Sequence, residues 1–279
     1  MKTEENLHKR VLYEEMTWEE VDEAIRKRAI AVIPVGILEN NGPHLPVGAN
    51  LYITEEVIRS AAQKVVPKVP IVIFPTLEYG NCTADRRYSE IVSIKPSVLG
   101  SFLSNLLLEL DRKGFENILL VKCSSSNSYI LPTVCQVKEE NIGAEIFIVS
   151  PWAFIVEERE KHPYGIITAM LMYLKPELIS WENLTKKEYL IRKIPKSYFM
   201  KIPAGEYFDT MFSGKLSAEG VIFISDKQNY PISDIREDSD KLTAQYGEEL
   251  IKHKVNGFAE MLLEIYEKGF IKNMYLNQP

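Results

Sequence analysis

The segment after the first apolar run concentrates residues whose side chains can do chemistry. It reads Gly36-Ile37-Leu38-Glu39-Asn40-Asn41-Gly42-Pro43-His44-Leu45-Pro46-Val47-Gly48-Ala49-Asn50. Glu39 can act as a general base if burial raises its pKa, or as a carboxylate bonded to N–H groups of its loop. His44 can act as a base or donor toward a ligand, or brace the loop through the backbone. Asn41 and Asn50 add amides that can bind a ligand.

A second polar segment, Cys123 to Asn127, follows another apolar run. It falls at a predicted strand-to-helix turn, where the helix dipole favours an anion, so Cys123 or Ser124 can serve as a nucleophile. The alternative is that Ser124, Ser125, Ser126 and Asn127 cap the next helix. We take Ser124 as a candidate catalytic residue, and Cys123 and Asn127 as candidate ligand-binding residues.

A third cluster is charged and consists of Asp85, Arg86 and Arg87. Arginine can contact an anion through two parallel hydrogen bonds, so Asp85 and Arg86 are candidate ligand-binding residues. A salt bridge within the chain or between subunits is the alternative.

Helices and strands alternate along the first half of the chain. Thr17 and Glu20 form a predicted capping box at the start of the first helix, and Gly114 is a predicted helix stop. The other predicted helices cover 51–66, 97–113, 128–141 and 237–268, and the predicted strands are Ile30–Val35, Ile71–Phe74, Ile118–Val121 and Ile146–Val149, with two further possible strands at Tyr198–Ile202 and Val221–Ile224.

This alternation predicts a mostly parallel central sheet with helices on both faces. The expected fold is α/β, a three-layer α/β/α arrangement in a single domain over residues 1–279. Ligands bind such folds beyond the carboxyl ends of the strands. Segments 36–50, 76–90, 122–127 and 150–166 are therefore expected to form the site.

The same segments resemble the creatininase (creatinine amidohydrolase) family. Its signature reads Gly, two residues, Glu-Gln-His-Gly-Pro-His-Leu-Pro, three residues and Asp. The core Gly42-Pro43-His44-Leu45-Pro46 is intact here. Segments 79–94, 114–127 and 162–179 resemble further family segments in the same order, and the resemblance implies a creatininase-like fold.

The resemblance also implies a chemistry that these residues only partly match. Members of the family hold two divalent metals and hydrolyse cyclic amides or related C–N bonds, since paired cations activate a bridging water and polarise a carbonyl. Glu39 matches the family's first glutamate ligand. In the other positions Asn41 replaces a histidine, Asn50 the bridging aspartate, Ser124 a histidine and Ile167 a glutamate, and Asp85 stands where a Glu-His pair has its histidine.

Three functions stay open at this point, and whether the protein is an enzyme is open with them. The first is a small-ligand-binding or subunit role without a metal cofactor, beside an active paralogue. The second is a remodelled hydrolase of C–N bonds other than peptide bonds, which uses Glu39 and His44 without metal or with one weakly bound Zn or Mn. The third is an ordinary metal-dependent amidohydrolase, which four histidines in the whole chain disfavour.

The composition of the chain limits the classes of partner that we expect. The net charge is −6 and no Lys/Arg block stands out, so we expect no nucleic acid partner. No apolar run reaches the roughly 18–20 residues that span a bilayer. Three cysteines without CxxC spacing and an N-terminus without an apolar segment predict a cytoplasmic protein. The family resemblance implies a homo-oligomer, often a hexamer built as a trimer of dimers.

Overall fold

The computed structural model describes residues 10–66, 68–81, 92–124, 126–140, 142–154, 163–184, 201–202, 223–224 and 243–268. A four-stranded parallel sheet lies at its centre. Its strands are β1 (Ile30–Val35), β2 (Ile71–Ile73), β3 (Asn117–Lys122) and β4 (Glu145–Val149). The four predicted strands are therefore confirmed to within one residue at each end.

Helices alternate with these strands, as predicted. They are α1 (Trp18–Arg26), α2 (Ala49–Val65), α3 (Pro96–Arg112), α4 (Ile130–Glu139), α5 (Pro163–Leu174), α6 (Trp181–Leu184) and α7 (Ala244–Lys268). The capping box of α1 is confirmed: Glu20 N donates to Thr17 Oγ1 at 3.3 Å, and Thr17 N donates to the Glu20 carboxylate at 2.7 Å. Gly114, with φ +96°, follows the end of α3, where glycine avoids the steric cost of a side chain.

The sheet separates two apolar cores, which makes the fold a three-layer α/β/α arrangement as predicted. Strand side chains alternate between the two faces. On one face, residues such as Val32 and Leu119 pack against α2, α5 and α7. On the other, residues such as Ile33 and Leu120 pack mainly against α3 and α4. All six residues of β1 are buried, as expected for a central strand covered on both faces.

The strand order is β2-β1-β3-β4. The chain leaves β1 toward β2 on one side and returns to place β3 on the other, so the order reverses between β1 and β3. Val35 at the end of β1 is in register with Lys122 at the end of β3. The loops after these two strands therefore start side by side, at the place where open α/β sheets bind ligands.

The second half of the chain is described in part. Lys201–Ile202 (β5) and Phe223–Ile224 (β6) form a short parallel pair, while the rest of the two possible strands lies outside the described residues. The same holds for 237–242 of the last predicted helix. In α7 the buried stripe includes Leu250, Phe258 and Leu262. Among the described residues, no helix is long and apolar enough to cross a membrane.

Candidate functional site

Glu39 lies at the centre of a polar network at the carboxyl ends of β1 and β3. Its Oε1 accepts a hydrogen bond from Asn50 Nδ2 at 2.7 Å. Its Oε2 accepts from Ser124 Oγ at 3.0 Å and from Ser126 Oγ at 3.1 Å. These residues and Asn41 form what we call the Glu39 network. The structure thus brings together Glu39, Asn41, Asn50 and Ser124, four of the predicted site residues.

Asn50 occupies the first turn of α2 and turns its amino group toward Glu39. Nδ2 also donates to Asn41 Oδ1 at 3.2 Å. A carboxylate accepts hydrogen bonds and cannot donate them, so this orientation of the amide is the one that Glu39 favours. Asn50 Oδ1 is left buried without a hydrogen-bond partner among the described residues. Leaving such an acceptor without a donor is costly.

His44 points away from the Glu39 network and joins its loop to α5. Its Nε2 lies 2.8 Å from Thr168 Oγ1, and its carbonyl accepts from Ser180 N at 2.9 Å. Only 1% of the residue is exposed, and this burial lowers the pKa of His44 to about 4 because water no longer stabilises the imidazolium. His44 is neutral near pH 7. These contacts are those expected of a residue that braces the loop, although the imidazole bonds to a side chain, and it is the main-chain carbonyl of His44 that bonds to backbone.

Cys123 is fully buried at the end of β3. Burial raises the pKa of its thiol to about 12, so at neutral pH the group is protonated and a poor nucleophile.

The predicted helix cap after β3 is wrong for the described residues. The residue before α4 is Tyr129, and no side chain caps this helix. The hydroxyls of Ser124 and Ser126 bond to Glu39 instead. As donors to the part-buried Glu39 carboxylate, these hydroxyls form stronger hydrogen bonds than they would as acceptors from helix N–H groups, because hydrogen bonds to a charged acceptor are stronger.

Asn127 holds the site loops together. Its Nδ2 donates to Gly36 O at 2.9 Å and Val35 O at 3.3 Å, and its Oδ1 accepts from Asn81 N at 3.0 Å. Since only 1% of Asn127 is exposed, its amide is used within the protein. The structure gives this predicted ligand-binding residue a positioning role.

Asp85, Arg86 and Arg87 lie outside the described residues. Ile167 lies on α5, is 7% exposed and packs in the apolar core on the α2, α5 and α7 face of the sheet. Over the ranges that the structure describes, no three or more His, Cys, Asp or Glu side chains are grouped to hold a metal ion.

A cavity of about 310 Å³ lies at the opposite edge of the sheet, near Ile71 at the start of β2. Four of the charged groups that line it already pair with each other. Lys27 Nζ lies 2.7 Å from Glu23, and Arg10 lies 3.8 Å from Glu20. The Glu39 network, at the carboxyl edge, is the better candidate for a ligand site.

Two residues of the site were not predicted as site residues. Ser126 was considered only as a helix cap, and Thr168 was not considered. Thr168 is fully buried, and its signal in the sequence is a single hydroxyl within the apolar run 165–171.

Comparison with known proteins identifies the family of this chain. A family model described as creatininase, creatinine amidohydrolase, matches residues 14–262. The chain belongs to the creatininase family. The creatinine amidohydrolase of Pseudomonas putida is 20% identical over 204 residues, which cover 64% of this chain and 77% of that protein.

Solved creatininases share the fold. A creatinine amidohydrolase (creatininase) crystal structure has a TM-score of 0.70 at 16% identity, covering 92% of this chain and 98% of its own. A mutant creatininase complexed with creatine has a TM-score of 0.69 at 16% identity, with 92% and 99% covered. A mutant described as the Zn-Zn type has a TM-score of 0.68 at 16% identity, with 92% and 98% covered. The expected creatininase-like α/β fold is confirmed.

Proposed function

We propose that this creatininase-family protein binds a small polar ligand at the Glu39 network without a pair of metal ions. One observation carries the proposal: neutral donors occupy both oxygens of the Glu39 carboxylate. Asn50 bonds to one oxygen, and Ser124 and Ser126 bond to the other. Hydrogen bonds to a charged group contribute roughly 1.5–3 kcal/mol each. The network is thus a stable arrangement for an anionic carboxylate.

The residues present do not fit two divalent ions. A dinuclear site needs several carboxylates and imidazoles to offset the charge of two cations. Of the ligand positions that the resemblance identifies, 41, 50 and 124 carry two amides and a hydroxyl. Asn50 points its amino group at Glu39, and an amide N–H repels a cation where a bridging aspartate would attract it. Losing even a residue that supports a ligand typically costs 10–100-fold in metal affinity.

The network also indicates what kind of group the ligand offers. Asn50 Oδ1 is a buried acceptor without a partner among the described residues, and leaving such an atom unsatisfied costs about 1–3 kcal/mol. A ligand that donates an N–H or O–H group to this oxygen recovers that energy. Creatine, found in one of the related structures, and creatinine carry such donors and serve as first probes.

Metal content tests the first half of the proposal. We expect the purified full-length chain, dialysed with Zn or Mn and then washed, to retain less than one ion per chain by elemental mass spectrometry. The variant Asn41→His/Asn50→Asp/Ser124→His restores three family ligand types and should bind metal more tightly. Asn105→Asp, an exposed change of the same charge, is the control and should behave as wild type. Two tightly held ions in the wild type would overturn the proposal.

Side-chain NMR tests the second half. The Asn41 and Asn50 amide signals report on the Glu39 network, and creatine, creatinine and a set of lactams and formamides are the probes. We expect at least one probe to shift the Asn50 signals in wild type and not in Glu39→Gln. If no probe class shifts them, the ligand-binding half fails, whatever the metal result.

A metal-free hydrolase of C–N bonds is the second candidate. The observation in its favour is the 3.0 Å contact from Ser124 Oγ to Glu39 Oε2, because a carboxylate in this position can accept the proton of an attacking hydroxyl. Turnover of a lactam or formamide that disappears in both Glu39→Gln and Ser124→Ala would favour it. His44 is less suited to this role, because its Nε2 is engaged by Thr168.

The assembly and location of the protein remain proposals as well. We propose a cytoplasmic homo-oligomer, a hexamer by family resemblance, or a complex with an active paralogue. Light scattering of the purified chain gives the subunit number, and co-purification of a homologous chain from the native host distinguishes the two assemblies.

A further inference from the structure

A lysine is fully buried on α7. Lys254 is 0% exposed and is among the largest fully buried side chains of the protein. Its Nζ donates to the carbonyl of Phe154 at 3.3 Å and lies 5.2 Å from the centre of the Trp152 ring. Burying an amino group is costly unless specific contacts compensate it. These two contacts lie on one short segment, the turn at Pro151–Phe154 after β4.

The rest of this α7 face fits the same turn. A Cβ on Gly257 would lie 2.7 Å from Phe154 Cδ1 and 3.1 Å from its Cγ, so the glycine makes room for the ring. The Phe154 ring also packs edge-on against Phe258, with 6.0 Å between the ring centres. Lys254, Gly257 and Phe258 therefore hold the turn together, through its backbone, its indole and its phenyl ring.

This turn also contacts the residue that precedes Ser124 of the Glu39 network. Trp152 Nε1 donates to the Cys123 carbonyl at 3.2 Å, and Cys123 N donates to Val35 O at 3.0 Å. The next residue, Ser124, donates to Glu39. A chain of direct contacts thus runs from Lys254 through Trp152 and Cys123 to Ser124.

We propose that Lys254 is a positioning residue for the Glu39 network. It fixes the Trp152 indole so that the indole N–H holds the Cys123 carbonyl, which sets the direction of the Ser124 hydroxyl toward Glu39. The ammonium group of a lysine within about 6 Å of the centre of an indole, over its face, is attracted to the ring, and it orients the ring in a way that an apolar side chain does not. The proposal concerns the site of the proposed function, but it requires neither a ligand nor a metal.

The test compares two lysines on the same helix in the full-length, isotope-labelled protein. Lys254→Met removes the amine and keeps a long side chain, while Lys252→Met changes a lysine that is 65% exposed and paired with Glu248. We expect Lys254→Met to raise the solvent exchange of the Trp152 indole N–H about tenfold or more and to shift the Asn50 side-chain amide signals. Lys252→Met should leave both as in wild type.

The stability of the variant is a readout separate from the two NMR signals. Lys254→Met leaves the Phe154 carbonyl without its donor, and a buried acceptor left unsatisfied destabilises the folded state, so we expect the urea midpoint to fall while the protein still folds and the two NMR signals change. A folded Lys254→Met protein with unchanged indole exchange and unchanged Asn50 signals overturns the proposal.

A second measurement covers the case in which Lys254→Met does not fold. In wild type, we expect the Trp152 indole to exchange far more slowly than that of Trp18, which is 76% exposed, and Trp152→Phe should shift the Asn50 signals. Equal exchange of the two indoles, or unchanged Asn50 signals in Trp152→Phe, would also overturn it. Metal content and probe binding do not enter these readouts, so the proposed function can fail independently.

Discussion

At the scale of residues, the amide of Asn50 is the group expected next to the Glu39 carboxylate. Asn50 Nδ2 and Glu39 Oε1 are 2.7 Å apart. Two carboxylates at that distance cannot both be ionised unless a cation lies between them, because like charges in contact raise the free energy of the ionised pair. An amide removes this conflict and supplies a donor. The asparagine is thus suited to a site in which hydrogen bonds, and not cations, stabilise Glu39.

His44 should make stability depend on pH. Its pKa is about 4 in the folded protein and near 6.5 when unfolded. The unfolded chain therefore binds the proton first as pH falls, and the free energy of unfolding decreases from about pH 6.5 to pH 4. Between pH 7 and pH 4.5 we expect a loss of about 2 kcal/mol from this residue. Urea unfolding at both pH values measures it.

The control for this loss is a pair of histidine variants. His44→Gln has no ionisable group at this position and should lose about 2 kcal/mol less than wild type over the same range. His253→Gln, exposed on α7, should follow the wild-type curve. Equal losses in wild type and His44→Gln would show that His44 accepts its proton as readily folded as unfolded.

The cysteines should differ sharply in reactivity. Cys123 is buried with a pKa of about 12, whereas Cys135 is exposed. Only the thiolate reacts quickly, so iodoacetamide at pH 8 should label Cys135 at least about 100-fold faster than Cys123 in the native protein. Peptide mass mapping follows the two sites, and unfolding in urea should make their rates similar. Fast labelling of Cys123 in the native protein would contradict the burial of its thiol and would make Cys123 a candidate nucleophile again.

The position of the site could be predicted from the sequence better than the hydrogen-bond partners of its residues. Glu39, Asn41, Asn50 and Ser124 were predicted, and they meet, because the loops that follow parallel strands share one edge of the sheet. The partner of His44 was not predicted. Thr168 is 124 positions away, and the pairing depends on how α5 packs over the loop, which no local pattern records.

At the scale of elements, local patterns predicted each strand and most helices, but not the strand order. The apolar run of β1 and the capping box of α1 are local signals. The reversal of the strand order between β1 and β3 depends on parallel pairing between Ile30–Val35 and Asn117–Lys122, more than 80 residues apart. The start of α4 was also misplaced by two residues: the residue before the helix is Tyr129, and the serines expected to cap the helix bond to Glu39.

Gly247 should be essential for the stability of the protein, because α7 crosses α5 at this residue. A Cβ there would overlap the carbonyl of Ala169, and the backbone of a packed helix cannot move aside as a side chain can. We expect Gly247→Ala to lower the free energy of unfolding by about 2 kcal/mol or more, although the same change in an exposed helix usually stabilises by up to about 1 kcal/mol. Chemical denaturation measures the difference.

Gly143→Ala, in the connection between α4 and β4, is the control for adding a Cβ where there is space. The nearest atom to its added Cβ is Asp111 Oδ1 at 3.4 Å, an ordinary contact distance. This variant should differ from wild type by less than about 0.5 kcal/mol. If Gly247→Ala is as stable as Gly143→Ala, the two helices do not cross as closely as described.

At the scale of the whole molecule, the sheet is shared by two apolar cores and connects them. Neighbouring residues of one strand face opposite layers: Leu119 packs toward α2, α5 and α7, and Leu120 toward the layer of α3 and α4. The Glu39 network lies at the edge of this sheet and takes residues from the loops after β1 and β3 and from α2. Its geometry therefore depends on both cores being formed together.

The last prediction tests whether the two cores unfold as one unit, as a single domain requires. Leu119 and Leu120 are both 0% exposed, so Leu119→Ala and Leu120→Ala should each cost about 2–5 kcal/mol, and each variant should still unfold in one transition followed equally by far-UV circular dichroism and tryptophan fluorescence. Val98→Ala, at a residue 56% exposed on α3, should change stability by less than about 0.5 kcal/mol. If either leucine variant shows two transitions, with one probe changing before the other, the layers fold as separate units. The Glu39 network would then lose its geometry in the first of the two transitions, because its loops follow strands that are covered by both layers.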